Sequence, residues 1–135
     1  MNREKHRLLI FGTDFPPESV GTASYAHALA TGMQRRGVQV TVLTRDCSAA
    51  ASEAFDRAQP FSVIRMRRPR DVPESYLASW RGLRRALAAT RPHCLWTTNG
   101  MATRVAGLPG IDRGLPVISS IRGTDIRTRL PGRGP

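Results

Sequence analysis

Three short segments of the chain are rich in the residue types that bind anionic or hydroxyl-bearing ligands. They cover residues 13–22, 97–101 and 122–125. Glycine lets a ligand approach the backbone closely, a carboxylate can accept a proton from a hydroxyl group, and arginine can hold a phosphate with two N–H groups. The candidate site residues in these segments are Asp14, Pro17, Gly21, Thr22, Asn99, Gly100, Arg122, Gly123, Thr124 and Asp125.

The first segment ends in a candidate anion site. Gly21 and Thr22 stand at the start of a predicted helix, where unpaired backbone N–H groups and the helix dipole favour negative charge. Neither G-x-G-x-x-G nor G-x-x-x-x-G-K-[ST] is present, so a plain strand-to-helix turn is the alternative. Asp14 and Glu18 are candidates for a base that serves a substrate hydroxyl, and a turn-forming role is the alternative for Asp14.

Predicted strands and helices alternate along the sequence and bring the three segments together. An apolar run at 7–12 and a β-branched run at 38–44 are typical of buried strands. Between them we predict a helix that starts near Ala23, with Thr22 or Ser24 as its cap, and ends at Gly37. Further strands are predicted at 61–66, 94–98 and 116–121, further helices at 75–90 (capped by Ser75) and 101–107, a short helix or loop within 46–60, and a turn at 99–100.

This alternation predicts an α/β, doubly wound, mostly parallel sheet with helices on both faces. In such sheets ligands bind at the carboxyl ends of the strands, near the point where the strand order reverses. All three segments leave carboxyl ends of predicted strands. We therefore expect them to lie on one edge of the sheet.

Length and composition are typical of one globular domain. The chain has 135 residues, of which 40% are hydrophobic and 23% charged. No apolar run reaches the roughly 18 residues of a membrane span, and no signal peptide is recognisable. Cys47 and Cys94 are expected to be reduced thiols, and the spacing of histidine and cysteine predicts no metal site. We expect a cytoplasmic protein without a bound metal or other cofactor.

The net charge of +11 comes from 21 basic and 10 acidic residues, which favours anionic partners. Arg65, Arg67, Arg68 and Arg70 form either a solvated loop, which we favour, or a contact with anionic lipid or a lipid-linked phosphate. The helix at 75–90 is interpreted as a core helix rather than a membrane-surface helix. Nucleic-acid binding ranks lowest, because the sequence lacks a helix-turn-helix, zinc-finger or aromatic RNA-binding pattern.

Seven motifs occur in the order that is typical of the N-terminal domain of retaining GT-B glycosyltransferases of the group 1/family 4 type, which the chain resembles. They are Phe-Pro-Pro at 15–17, Gly-Thr-Ala-Ser-Tyr at 21–25, Arg-Gly at 36–37, Val-Thr-Val-Leu-Thr at 40–44, Arg-Pro at 91–92, Pro-Val-Ile at 116–118 and Gly-Thr-Asp at 123–125. The resemblance covers roughly residues 7–126. It implies a Rossmann-like domain that binds mainly the acceptor and faces a C-terminal domain that binds the donor.

The activity implied by this resemblance is the transfer of a hexose, with retention, from a nucleotide-diphosphate sugar to a sugar or lipid-linked acceptor. The resemblance places Arg122 and Asp125 in the catalytic site and the other eight candidates in substrate binding. By position, Gly21 matches the second glycine of a Gly-Gly loop that lies against the donor diphosphate. Three positions depart from the family pattern: Val20 replaces the first glycine, Arg122 replaces a histidine and His93 replaces an aspartate.

The same resemblance leaves the donor-binding C-terminal domain outside the 135 residues. We therefore expect residues 1–126 to be an incomplete N-terminal domain, residues 127–135 to be a disordered tail, and the isolated chain to be inactive. The alternative is a non-catalytic, acceptor-binding or regulatory half that docks on a separate C-terminal half. The expected location includes weak, peripheral association with the anionic inner face of a membrane.

Overall fold

The computed structural model of the protein describes residues 5–18, 21–67 and 72–120. These residues form alternating strands and helices. The strands are β1 (Arg7–Phe11), β2 (Gln39–Arg45), β3 (Ser62–Met66), β4 (Cys94–Thr97) and β5 (Val117–Ser119). The helices are α1 (Gly21–Arg35), α2 (Ala49–Arg57), α3 (Val72–Thr90) and α4 (Gly100–Ala106). The expected domain boundary at 126 and the expected tail at 127–135 lie outside the described residues.

The five strands form one parallel sheet in the order β3-β2-β1-β4-β5. The chain winds from β1 through β2 to β3 and then continues on the other side of β1 with β4 and β5. Ile10 in the central strand is paired with Val42 of β2 and with Trp96 of β4. The predicted doubly wound α/β sheet is confirmed, and its strand order reverses between β1 and β4.

Hydrophobic side chains of the central strand β1 point alternately to two cores, one on each face of the sheet. Leu9 and Phe11 pack with α3 and α4, through residues such as Leu83 and Val105. On the opposite face, Leu8 and Ile10 pack with α1 and α2, and the residues from these helices are Ala26, Ala30, Leu29, Met33 and Phe55. Burial on both faces explains why the β1 segment is apolar at every position from Leu8 to Phe11.

Two predicted helix caps are wrong. Helix α1 begins at Gly21, before Thr22 and Ser24, and the Thr22 hydroxyl donates a hydrogen bond to Asp14 instead of capping the helix. Helix α3 begins at Val72, so Ser75 is buried within the helix and does not cap it. Both helices thus begin upstream of the residues with the highest capping preference.

The other predicted boundaries are close to those observed. Gly37 ends helix α1 with a φ of 88°, a conformation that glycine adopts without a steric penalty. Residues 46–60 contain the short helix α2 rather than only a loop. The predicted turn at 99–100 is wrong, because Asn99 is the N-cap of α4 and Gly100 its first residue. Strand β5 spans fewer residues than the predicted 116–121, whose last residue lies outside the described part.

His93 has a structural role at the amino end of the sheet. The backbone N–H of Arg7, the first residue of β1, donates a hydrogen bond of 2.9 Å to His93 Nδ1. The Arg7 guanidinium Nε also donates to the carbonyl oxygen of Arg91 at 2.9 Å. A carboxylate can also accept a backbone hydrogen bond, so histidine and the aspartate of the family pattern share this acceptor role.

Strand β5 is the last strand on one side of the sheet that the described residues form. Val117 and Ile118 retain 43% and 45% of their accessible surface, although both are apolar. None of the helices in the described ranges is both long enough and apolar enough to cross a membrane.

Candidate functional site

The carboxyl ends of β1 and β4 meet closely at Gly12, where the strand order reverses. The backbone N–H of Thr98 donates to the carbonyl oxygen of Phe11 at 3.0 Å, and the N–H of Gly12 donates to that of Leu43 at 3.1 Å. A Cβ atom at Gly12 would overlap Thr98 Oγ1 and lie 3.3 Å from Thr98 Cβ. Glycine is therefore required here by the close approach of the two strand ends.

Asn99 joins the first two predicted segments. Its side-chain Oδ1 accepts a hydrogen bond of 2.9 Å from the backbone N–H of Ala102, which caps helix α4. Its Nδ2 group donates to Thr13 Oγ1. One amide thus holds the loop after β1 against the loop after β4, and the structure brings the segments at 13–22 and 97–101 together as predicted.

Asp14 lies beside the first turn of α1. The Thr22 hydroxyl donates a hydrogen bond of 2.9 Å to Asp14 Oδ2, and the carboxylate is half-buried. A negative charge at a helix N-terminus is favourable, so the protein itself supplies an anion to this helix end. A Cβ at Gly21 would meet open space. The predicted phosphate site at Gly21 and Thr22 therefore has a carboxylate next to it, which opposes the binding of a second anion.

Arg65 contacts the Phe-Pro-Pro segment at Phe15 and Pro16. Its guanidinium binds both carboxylate oxygens of Asp56 at 2.9 Å. It also donates to the carbonyl oxygens of Pro16 at 2.6 Å and Arg45 at 3.1 Å, and it lies 5.8 Å from the centre of the Phe15 ring. The Arg65 side chain is only 8% exposed and that of Asp56 21%.

This ion pair corrects the interpretation of the arginine cluster at 65–70. Arg65 is neither a solvated loop residue nor available to a lipid, because its charge is neutralised inside the domain. Arg67 is exposed. Arg68 and Arg70 lie outside the described residues. Pro17, the next residue after the Arg65 contact at Pro16, is exposed on the loop.

The structure describes the chain up to Ser120, two residues before the third predicted segment at 122–125. Ser120 Oγ makes hydrogen bonds of 2.8 Å with Trp96 Nε1 and 2.9 Å with the Tyr25 hydroxyl. These bonds attach the end of β5 to β4 and α1, and nothing in the sequence pattern singled them out. The remaining four candidates, Arg122, Gly123, Thr124 and Asp125, lie outside the described residues.

The cysteine and histidine side chains have ordinary structural surroundings. Burial raises the pKa of the Cys94 thiol, which keeps it protonated, and Cys47 contacts the Ser52 hydroxyl at 3.2 Å. His27 is half-buried, and its Nε2 is 2.8 Å from Gln59 Oε1. Across residues 5–18, 21–67 and 72–120, no three histidine, cysteine, aspartate or glutamate residues cluster as metal ligands would.

The relationship to known proteins agrees with this architecture. A family model described as the glycosyl transferase 4-like domain matches residues 20–135. The chain belongs to this family. The resemblance to the N-terminal domain of GT-B glycosyltransferases that the motifs indicated is thereby confirmed. A search of curated proteins found no match.

The fold of this glycosyl transferase 4-like domain is also similar to a solved structure. The crystal structure of MurG from Acinetobacter baumannii superposes with a TM-score of 0.61 at 16% sequence identity. The match covers 86% of the present chain and 35% of the MurG chain. The chain thus spans about a third of the length of that protein.

The contribution of Asn99 to the stability of this glycosyl transferase 4-like domain can be tested by substitution. We expect Asn99→Ala to lower the free energy of unfolding by about 1–2 kcal/mol, because it removes both the α4 cap and the bond to Thr13. Asn99→Asp keeps the cap and loses the donated bond, so it should cost less. Urea unfolding measures both variants. Equal stability of Asn99→Ala and the wild type would contradict the role of this side chain.

Proposed function

We propose that residues 1–126 form the acceptor-binding N-terminal domain of a retaining glycosyltransferase. The donor is a nucleotide-diphosphate hexose and the acceptor is a sugar or a lipid-linked sugar. Family membership supports the reaction class, and the free thiols of Cys47 and Cys94 favour a cytoplasmic location. The observation that carries the proposal is the loop pair at the point where the strand order reverses. Asn99 of one loop binds Thr13 of the other, and Thr22 binds Asp14, the residue after Thr13.

The site is best suited to an acceptor hydroxyl at its α1 end. Thr22 holds Asp14 Oδ2 in place, and a carboxylate has further lone pairs that can accept a hydrogen bond from a sugar hydroxyl. A donor diphosphate would be repelled by this carboxylate at close range. We therefore assign Asp14, Pro17, Gly21 and Thr22 to the acceptor, with Asn99 and Gly100 as the neighbouring wall.

The donor side of the proposal rests on the segment at 122–125, through the family resemblance. Arg122 can hold two phosphate oxygens with parallel N–H groups, and Asp125 can accept a hydrogen bond from the transferred sugar. In the reaction, the acceptor oxygen forms a bond to the anomeric carbon while the bond from that carbon to the diphosphate oxygen breaks. The diphosphate leaves with the bonding electrons, and the hydroxyl proton passes to a base.

The exposed β5 edge favours a second candidate function. Val117 and Ile118 are apolar and are 43% and 45% exposed, and exposed apolar patches commonly mark an interaction site. This favours a non-catalytic half that binds the acceptor and docks through this edge on a separate C-terminal half. The two functions differ in donor binding, because only the first requires this chain to contact the nucleotide sugar.

Thermal unfolding with ligands tests the proposal. We expect one nucleotide-diphosphate hexose, among the uridine, guanosine and adenosine series, to raise the Tm of the chain. At about 100 times its Kd, a ligand adds about 2.7 kcal/mol, which is roughly 8 °C for a domain of this size. Asp14→Asn should preserve this donor shift and weaken the shift that an acceptor sugar produces.

Two other outcomes are informative. A cooperative transition that shifts with an acceptor sugar and with no nucleotide sugar would favour the non-catalytic half. If the chain unfolds cooperatively and neither sugars nor nucleotide sugars change its Tm, the assignment of this loop pair as a substrate site is contradicted. Arg113→Glu is the matched control, because Arg113 is exposed and is not one of the proposed site residues.

A further inference from the structure

A groove of about 540 Å³ lies between strand β3 and helix α3, at the opposite edge of the sheet from β5. Its apolar wall includes Ile64 and Met66 of β3, and its charged wall includes Arg67, Arg81 and Arg85. A Cβ at Gly82 would overlap Met66 Sδ, so the helix approaches the strand closely at one point. The groove has no part in the proposed glycosyl transfer site, which lies at β1 and β4.

The strand beside this groove has an open edge. β3 pairs with β2 in register from Thr41 and Ser62 to Arg45 and Met66, and no described strand pairs with its other side. Ile64 in the middle of β3 is 37% exposed. An edge strand presents a row of unpaired N–H and C=O groups, which is a template for another strand.

The charges around the groove are unbalanced. Arg67, Arg81 and Arg85 are exposed, and none of them has a carboxylate partner in the described part of the chain. Other arginines have partners: Arg65 binds Asp56, and Arg84, on the same helix, lies 5.0 Å above the Trp80 ring. Among the described residues that line the groove, none is acidic. Three like charges beside an apolar wall are complementary to a partner with both carboxylates and apolar side chains.

We propose that this β3–α3 groove binds an extended acidic peptide segment of a partner protein, which adds a strand to the edge of β3. Main-chain hydrogen bonds to β3 give the affinity, and side chains of alternate residues give the specificity. The residues of the bound peptide that face the groove alternate between aliphatic and acidic side chains. The aliphatic side chains cover Ile64, and the acidic side chains reach Arg81 and Arg85. An anionic lipid would satisfy the arginines, and it would leave the main-chain groups of β3 unpaired.

Binding of synthetic peptides to the full chain tests this proposal. The test peptide is Glu-Thr-Val-Thr-Glu-Thr-Val-Thr with a fluorescent label, measured by fluorescence anisotropy. We expect saturable binding that weakens with added salt. A peptide with lysine in place of glutamate should not bind. A version methylated on every main-chain nitrogen keeps the charges and loses the donors, and should bind at least about tenfold more weakly.

Charge-reversal variants locate the site. Arg81→Glu combined with Arg85→Glu should weaken binding of the test peptide by at least about tenfold. Arg36→Glu combined with Arg113→Glu changes the net charge equally at exposed positions away from the groove, and should bind almost as the wild type does. Both double variants change exposed side chains, so circular dichroism should show native folding.

Three results would overturn the proposal. The first is equal affinity for the methylated peptide, which would show attraction by charge without strand addition. The second is equal loss of binding in both double variants, which would show a non-specific charge effect. The third is that the chain does not bind the peptide but binds phosphatidylglycerol vesicles, and that Arg81→Glu with Arg85→Glu abolishes the vesicle binding. This result would show that the groove binds a membrane.

Discussion

Replacing Asp56 by asparagine is expected to lower the free energy of unfolding by about 3 kcal/mol, because it leaves the Arg65 guanidinium buried without its counter-charge. Arg65 keeps its hydrogen bonds to the carbonyl oxygens of Pro16 and Arg45, so the domain should still fold. Urea unfolding followed by circular dichroism measures the change. The loop at Phe15 and Pro16 should also become more accessible to hydrogen exchange.

An exposed ion pair in the same helix is the matched control. Glu53 pairs with Arg57 at 2.5 Å, and both side chains are mostly exposed. Glu53→Gln should change the free energy of unfolding by less than about 1 kcal/mol, since water replaces the lost partner. The double variant Asp56→Leu with Arg65→Met should recover much of the stability lost by Asp56→Asn, because neither partner then remains charged. A similar small loss for Asp56→Asn and Glu53→Gln would contradict the importance of burial.

The buried ion pair connects stability to the candidate site. Arg65 forms hydrogen bonds with α2, with the end of β2 and with the Phe-Pro-Pro segment at once. Asp14 lies next to that segment and is half-buried. Loss of the pair should therefore loosen the acceptor-side loop before it affects β4, and ligand-induced shifts should fall along with the stability.

Sequence patterns were sufficient for most of the fold. Continuous apolar and β-branched runs predicted β1 and β2 because strands buried on both faces of a parallel sheet need hydrophobic side chains at successive positions. The end of α1 was predictable from Gly37, whose positive φ excludes most other residues. Alternation of these elements then placed the loops after β1 and β4 on one edge, and the Asn99 bond to Thr13 confirms their proximity.

Partnerships between distant side chains were not predictable in the same way. Arg65 stands among other arginines in the sequence, and only the pleat of β3 turns it towards α2, where Asp56 lies. The existence of α2 was itself left open between helix and loop. Thr22 has a high capping preference, yet it donates to Asp14 because that carboxylate is held beside it by the β1 loop. Such choices depend on tertiary packing rather than on local preference.

Gly12→Ala is expected to be the second strongly destabilising substitution, with a loss of about 3 kcal/mol. The new Cβ would overlap Thr98 Oγ1, and both residues are buried where β1 and β4 end. Relief requires that the two strand ends separate or that Thr98 changes its rotamer within a packed interior. Separation would also strain the Asn99 bond to Thr13, so the variant should lose substrate-induced thermal shifts as well as stability.

A compensating substitution distinguishes this steric cause from a general effect of losing glycine. Thr98→Ala removes Oγ1, which is buried and makes no hydrogen bond within the described residues, so alone it should cost about 1 kcal/mol or less. Combined with Gly12→Ala, it should recover at least about 1.5 kcal/mol of the stability, as expected for two residues in direct contact. Only part of the lost stability is recovered, because the Cβ atoms of the two introduced alanines would still lie about 3.3 Å apart. Additive losses in the double variant would contradict the steric contact between Gly12 and Thr98 as the cause.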